Sequence, residues 1–560
     1  MTRLALALAA VAGALVVAPA ARATEVPPPR LDERSATAAV LASPKVAAWL
    51  ERYPPDPTTD ATYERAGDRW TVRVWSGRAG QVAEGVVEDG TGAVVEAWAG
   101  PQVAWRMARG TPGAFGGKLL NRPALWLAFC LAFVLGLADL RRPFSLRNLD
   151  LLVLLSFSVS LAFFNRGEIY RSVPLAVPPL LYLLARSAWI GFRGRRERRP
   201  VAVWPVWVLA AATVFLVGFR VGLNVQAPRS VIDVGYAGVI GGDRILDGQA
   251  PYGHMPVRDA RPGCGEPDSS GDTRERIQAN GRCESANERG DTYGPLAYVA
   301  YVPAVALLGW SGKWDSLPAA HATSIAADLV VLAGLLLVGR RFGGWRLAAT
   351  LCFAWAAYPF TAYALNANTN DALMPAALVW GFWLSSSAWA RGAFVAAATW
   401  TKFGALLLAP LWATYAVPAA RTVARFAAAF AGATVLAFAI LLLEPDLLEA
   451  LRTFWDRTVG FQLGRESPFS IWGWGQYHAR GIPDLGWLQT VVQAGVLTLA
   501  GVVALVPPRK SPLELAALTA AVLLAFQLAL THWFYLYLPW ALPFVVLALF
   551  LPRAGVPRAS

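Results

Sequence analysis

Charge is scarce in this chain. Asp, Glu, Lys and Arg make up 16% of its 560 residues, and the acidic residues are the smaller share, 37 against 50 basic. With 56% of residues hydrophobic, the chain does not read as a soluble globule, because no single core hides that much apolar surface. Cysteine and histidine number four each, and no CxxC pair occurs. The sequence has no Walker loop, no GxGxxG after a strand, no HExxH and no GxSxG. No long stretch between the later apolar runs could form a cytosolic domain that hydrolyses ATP or binds a nucleotide sugar. An enzyme built on this chain has to take an activated substrate from the membrane.

What the chain has in abundance is apolar and aromatic. Mean hydropathy is +0.42, and 24 Trp and 15 Tyr suit interfacial belts. The net charge of +13 lies largely in short clusters between apolar runs, Arg141-Arg142, residues 192–199 and Arg340-Arg341 among them. That is the positive-inside pattern, and nucleic acid is not an expected partner. Residues 1–23 read as a signal peptide, with Arg3, an apolar run at 4–19 and Ala21-Arg22-Ala23 before Thr24; an uncleaved anchor is the alternative. Residues 24–118 read as an extracytoplasmic α+β domain. Thr37–Leu50 has helical spacing blemished by Pro44, and Arg69–Val74, Val82–Val87 and Ala93–Trp98 alternate like strands around an Asp89-Gly90-Thr91-Gly92 turn. This stretch resembles PepSY-like exported modules, and a folding or docking role is the expectation.

The remainder reads as an all-α polytopic membrane protein. Apolar runs at 120–138, 149–165, 173–191 and 202–221 approach the ~20 residues needed to span a bilayer. Residues 119–200 form accessory spans, and residues 201–551 carry outer loops at 222–317 and 444–487. Later runs fall at 318–339, 347–365, 371–389, 403–418, 422–443, 488–507, 511–530 and 533–551. The run 293–310 fits the charge pattern only if it lies along the outer leaflet. Counting a short element at 391–401, the expectation is about thirteen crossings, with the tail 552–560 inside.

Several residues could carry chemistry. Asp233 follows a span directly, and a carboxylate there either caps an amphipathic surface helix ending at Gly248 or acts as a base. Asn370 and Asp371 close an Asn-rich turn, Asn366–Asp371. Asp371 reads either as the N-cap of the next helix or as part of a cavity that binds sugar or phosphate. Lys402, between apolar runs, needs an anion or must snorkel; the phosphate of a lipid carrier would serve. His532 could bind that phosphate or position an acceptor, and His478 is a weaker candidate. Arg465-Glu466 reads as a solvated pair. Cys264 and Cys283 share one polar loop and could form a disulfide in an oxidising exterior; zinc, with only His254 nearby, is the weaker alternative.

With these residues in place, roughly residues 200–551 resemble the GT-C superfamily of integral-membrane glycosyltransferases, in the style of the family 87 enzymes that use polyprenyl-phosphate sugars. The resemblance rests on Asp233-Val234-Gly235-Tyr236, Pro251-Tyr252-Gly253, Tyr293-Gly294-Pro295, the turn ending at Asp371, and Lys402 in a helical break. It implies a base in the first outer loop at Asp233 and two juxtamembrane helices at 232–247 and 293–310. Tyr236, Tyr252 and Tyr293 would line the acceptor cavity. It implies a polyprenyl-phosphate sugar as co-substrate, an envelope glycan or glycolipid as acceptor, inversion at the anomeric carbon, and a plasma-membrane location. No acidic pair in the first loop suggests a metal, and no cofactor is expected. A transporter or flippase of lipid-linked sugars and a non-catalytic envelope assembly protein are the alternatives.

Overall fold

A computed structural model describes residues 28–65, 67–109, 115–195, 203–266, 273–314, 316–416 and 418–552. The signal-peptide reading, residues 196–199 of the basic cluster, and nearly all of the tail lie outside these.

Among the described residues, seven helices are long and apolar enough to cross a membrane. They are Leu146–Phe164, Ile169–Arg193, Val206–Val225, Pro318–Ala357, Ala420–Leu443, Gly486–Leu505 and Pro512–Ala529. The last is the most buried and lies at the centre, opened by a capping box between Ser511 and Glu514. Pro318–Ala357 is two helices joined at Gly344, where φ is +72°. A Cβ on Gly339 would come within 2.2 Å of the Ala348 Cα. A straight helix rising ~1.5 Å per residue holds two such residues far apart, so the segment folds back on itself beside Arg340-Arg341.

The expected count of about thirteen crossings also includes segments that form only short helices. Leu373–Trp383 has 11 residues, roughly 17 Å at 1.5 Å per residue. The run 403–418 becomes 3₁₀ turns over Phe403–Leu408 and a helix of five residues, Ala409–Ala413. By length alone these fall short of a ~30 Å hydrocarbon core.

The N-terminal domain packs two helices, Glu33–Ala42 and Pro44–Leu50, on an antiparallel meander. Pro44 starts the second helix rather than blemishing one, because the first helical position needs no N–H. The strands are β1 (Thr58–Glu64), β2 (Arg69–Trp75), β3 (Gln81–Glu88) and β4 (Val94–Ala99), paired in chain order. Asp89 ties the entering chain down, accepting from the N–H groups of Arg30 and Leu31 and from Trp70 Nε1. The domain is seated on the far loop. Tyr477 and Ala479 join its core, Trp49 meets Tyr170 and Tyr477, and Arg52 and Arg480 each donate to backbone carbonyls on the other's segment.

The first outer-loop helix, Asp233–Leu246, is buried on nearly all sides. It is therefore not the amphipathic surface helix expected from its pattern. Gly238 and Gly241 let Tyr301 and Tyr298 of the short helices Pro295–Val299 and Val302–Leu308 close onto it. Its far end is held by ion pairs from Arg244 to Glu284 and from Arg282 to Asp243 and Asp247. Cys264 and Cys283 are bonded to each other across a small three-stranded sheet.

Candidate functional site

Two backbone contacts assemble the site. Gly235 lies against the Asn366–Asp371 turn so closely that a Cβ would come within 2.1 Å of the Asn368 carbonyl oxygen. Gly294 lies likewise against the Trp400 carbonyl, 2.2 Å from where its Cβ would be. Only a residue without a side chain permits either approach. The first contact brings Asp233 beside the Asn-rich turn. The second brings Tyr293 onto Lys402.

The turn itself is locked from below. Asn368, in the left-handed region with φ +53°, donates from Nδ2 to Ser230 O and accepts from Asn224 Nδ2, both at 2.7–2.8 Å. His321 Nδ1 bonds Asn224 Oδ1 at 2.8 Å, and the Ile232 N–H donates to Ala367 O. Polar groups in an apolar bundle persist when they satisfy one another, and this network fixes the residue before Asp233 to the turn before Asp371.

Asp371 does not cap the following helix; the N-cap is Ala372, and no side chain bonds there. Its carboxylate instead accepts from Trp540 Nε1 at 3.0 Å and pairs with Lys402 Nζ at 3.2 Å. Lys402 sits over the rings of Tyr293, at 4.6 Å, and Trp540, at 5.7 Å. The ammonium is boxed by two π faces and one carboxylate rather than snorkelling to the interface. The anion it needs is supplied by the chain itself. Tyr252 supports this box from behind, donating from its hydroxyl to Tyr293 O at 3.0 Å.

Asp233 is the first residue of its helix; the capping position belongs to Ile232. Its carboxylate is reachable by water while protein surrounds it on every side, so it faces a recess and not the open exterior. Burial pushes its carboxyl above the ordinary carboxylate value, against the opposing pull of Arg465 and Lys402. Arg465, read from sequence as half of a solvated pair with Glu466, instead stands over the Phe461 ring within electrostatic reach of Asp233, Tyr293, Tyr537, Lys402 and His532. No carboxylate among the described residues pairs with it. His532 Nδ1 bonds Ser467 Oγ at 2.8 Å, two residues after Arg465, and its ring stacks against Phe534.

Asp233, Asp371, Lys402, His532 and Tyr293 therefore converge, joined by Arg465, Trp540 and Tyr537, which stacks on Trp540 at 4.1 Å. Three expected residues do not face this recess. Tyr236 is fully buried, with its ring on Trp314 and its hydroxyl given to Ser285 O, so it is a packing residue. Tyr252 acts only through Tyr293. His478 is exposed at the seat of the N-terminal domain. Asn370 is buried beside Asp371, with its Oδ1 left without a hydrogen-bond partner. Among the described residues, no group of three His, Cys, Asp or Glu could hold a metal ion.

Compared with known proteins, the chain matches no family model. No curated protein aligns with it significantly. The site has to be read from its own geometry.

Proposed function

We propose that the protein is a glycosyltransferase of the plasma membrane, working on its extracytoplasmic face. It would move a sugar from a polyprenyl phosphate to an envelope glycan or glycolipid. The observation that carries this reading is a carboxylate in a recess, facing a cluster of cations and aromatic rings at the end of a membrane bundle. A carboxylate with a raised pKa suits a general base that removes a hydroxyl proton. Arg465 lacks a carboxylate partner and is the natural counter-charge for a phosphate, while Lys402 shares its charge with Asp371 and adds to the field. Aromatic faces such as Tyr293 and Tyr537 suit a sugar ring.

The step balances as a single displacement. Asp233 takes the proton of the acceptor hydroxyl, and the acceptor oxygen bonds to the anomeric carbon. The bond from that carbon to the phosphate oxygen breaks with its electron pair, and the polyprenyl phosphate leaves facing Arg465, with Lys402 and His532 nearby. Inversion follows. The test is incubation of the purified protein with a panel of radiolabelled polyprenyl-phosphate sugars and envelope acceptors. A labelled product from wild type and none from Asp233→Asn supports the reading. Equal turnover by both proteins rejects it.

A further inference from the structure

The largest well-formed cavity lies at the other end of the bundle. The helix Leu538–Phe550 links the two ends: Trp540 touches Asp371 near its start, and Leu549 lines this cavity near its finish, about 14 Å further along at 1.5 Å per residue. The cavity measures about 670 Å³ and is lined by Arg142, Arg147, Arg186 and Arg195, with Phe144 and Trp189 at its edge.

Its charge does not balance. Arg142 and Arg147 share one carboxylate, Asp139, at 3.0 and 3.4 Å, and Arg186 pairs with Asp150 at 3.1 Å. Arg195 is held by three backbone carbonyls, of Ala548, Leu549 and Leu551, which carry no net charge. Four guanidiniums thus face two carboxylates. Arg142 is at the mouth, its side chain 63% exposed. The edge beside it is strongly apolar: Phe144 is fully exposed, Trp189 is 61% exposed, and Leu149 and Leu152 continue outward along the next helix.

From this geometry we infer an anionic phospholipid site, in which the arginine cavity holds the phosphate headgroup and the exposed apolar helix faces carry the acyl chains. Surplus positive charge recognises the phosphate, since guanidinium forks match its oxygens. A basic pocket between spans on the positively charged side of the bundle is where leaflet lipids are recognised. The aromatic edge commits the ligand to a lipid rather than to free phosphate, because a small anion would gain nothing from Phe144 or Trp189.

The experiment uses the full chain in a zwitterionic detergent, titrated with short-chain phosphatidylglycerol, with phosphatidylcholine of the same chain length, and with inorganic phosphate, and read by native mass spectrometry and thermal shift. Phosphatidylglycerol is expected to bind at least ten times more tightly than either of the others. Arg142→Gln, at an exposed position, should weaken that binding about tenfold. Leu146→Glu, which places a carboxylate on the exposed edge, should abolish it. Equal binding of the two lipids, phosphate binding as tight as phosphatidylglycerol, or wild-type affinity in both variants each overturns the inference. Asp233→Asn should bind the lipid as wild type does, so this result and that for sugar transfer fail independently.

Discussion

Gly235 stands so close to Asn368 that any side chain would press a Cβ into the Asn368 carbonyl oxygen. The glycine of the Asp233-Val234-Gly235-Tyr236 motif is thus a docking residue, and the carboxylate two positions earlier is placed by it. Gly235→Ala should push the helix off the turn, with a stability cost of about 1–3 kcal/mol and a larger fractional loss of transfer activity. Thermal denaturation in detergent beside an activity assay checks both. An alanine variant with wild-type activity would disconnect this contact from the chemistry.

Asp233→Asn should abolish transfer without weakening the fold. The sign follows from the raised pKa. The folded state holds the proton more tightly than the unfolded chain, so its stability falls as pH rises from the unfolded value through the folded one. At neutral pH the asparagine no longer bears that cost, and the melting temperature should equal or exceed that of wild type. Activity of the wild type should in turn fade on acidification at a pH above the ordinary carboxylate range.

Arg465→Gln should act in two ways. Removing a cation that faces the leaving phosphate should lower turnover on the order of 10²-fold. Removing a cation that pulls the Asp233 pKa down should also move the acid limb of the pH profile to higher pH. A slower enzyme with an unmoved profile would mean that Arg465 does not share a field with Asp233.

Lys402→Met should destabilise strongly, by about 3–5 kcal/mol, because it strands the buried Asp371 carboxylate. The double variant Lys402→Met/Asp371→Asn should recover part of that loss, and a double-mutant cycle from melting curves measures the coupling. Strictly additive losses would show that the pair is not a unit.

Much of this site can be read from the chain because its signals are local. Asp233, Asp371 and Lys402 each interrupt an apolar run, and charge in such places is costly enough to stand out. Cys264 and Cys283 sit in one polar loop, and their pairing needs no other information. Arg465 and Trp540 are harder. An arginine beside a glutamate in a loop looks like solvated polarity until the fold turns it inward, and a tryptophan in an apolar run looks like a lipid anchor. Trp540 meets Asp371 from 169 positions away, a contact no pattern announces. The strand β1 is hidden for a different reason: at the sheet edge its Thr-Thr-Asp-Ala-Thr-Tyr-Glu stretch buries little, so it lacks the apolar alternation of its neighbours.

The seat of the N-terminal domain joins Arg52 to Arg480, 428 positions later. During synthesis the exported module therefore emerges early but has nowhere to rest until the last third of the chain is threaded. For most of its own biogenesis this protein carries a folded unit on a tether, and any truncation before the Tyr477 loop would leave it permanently undocked.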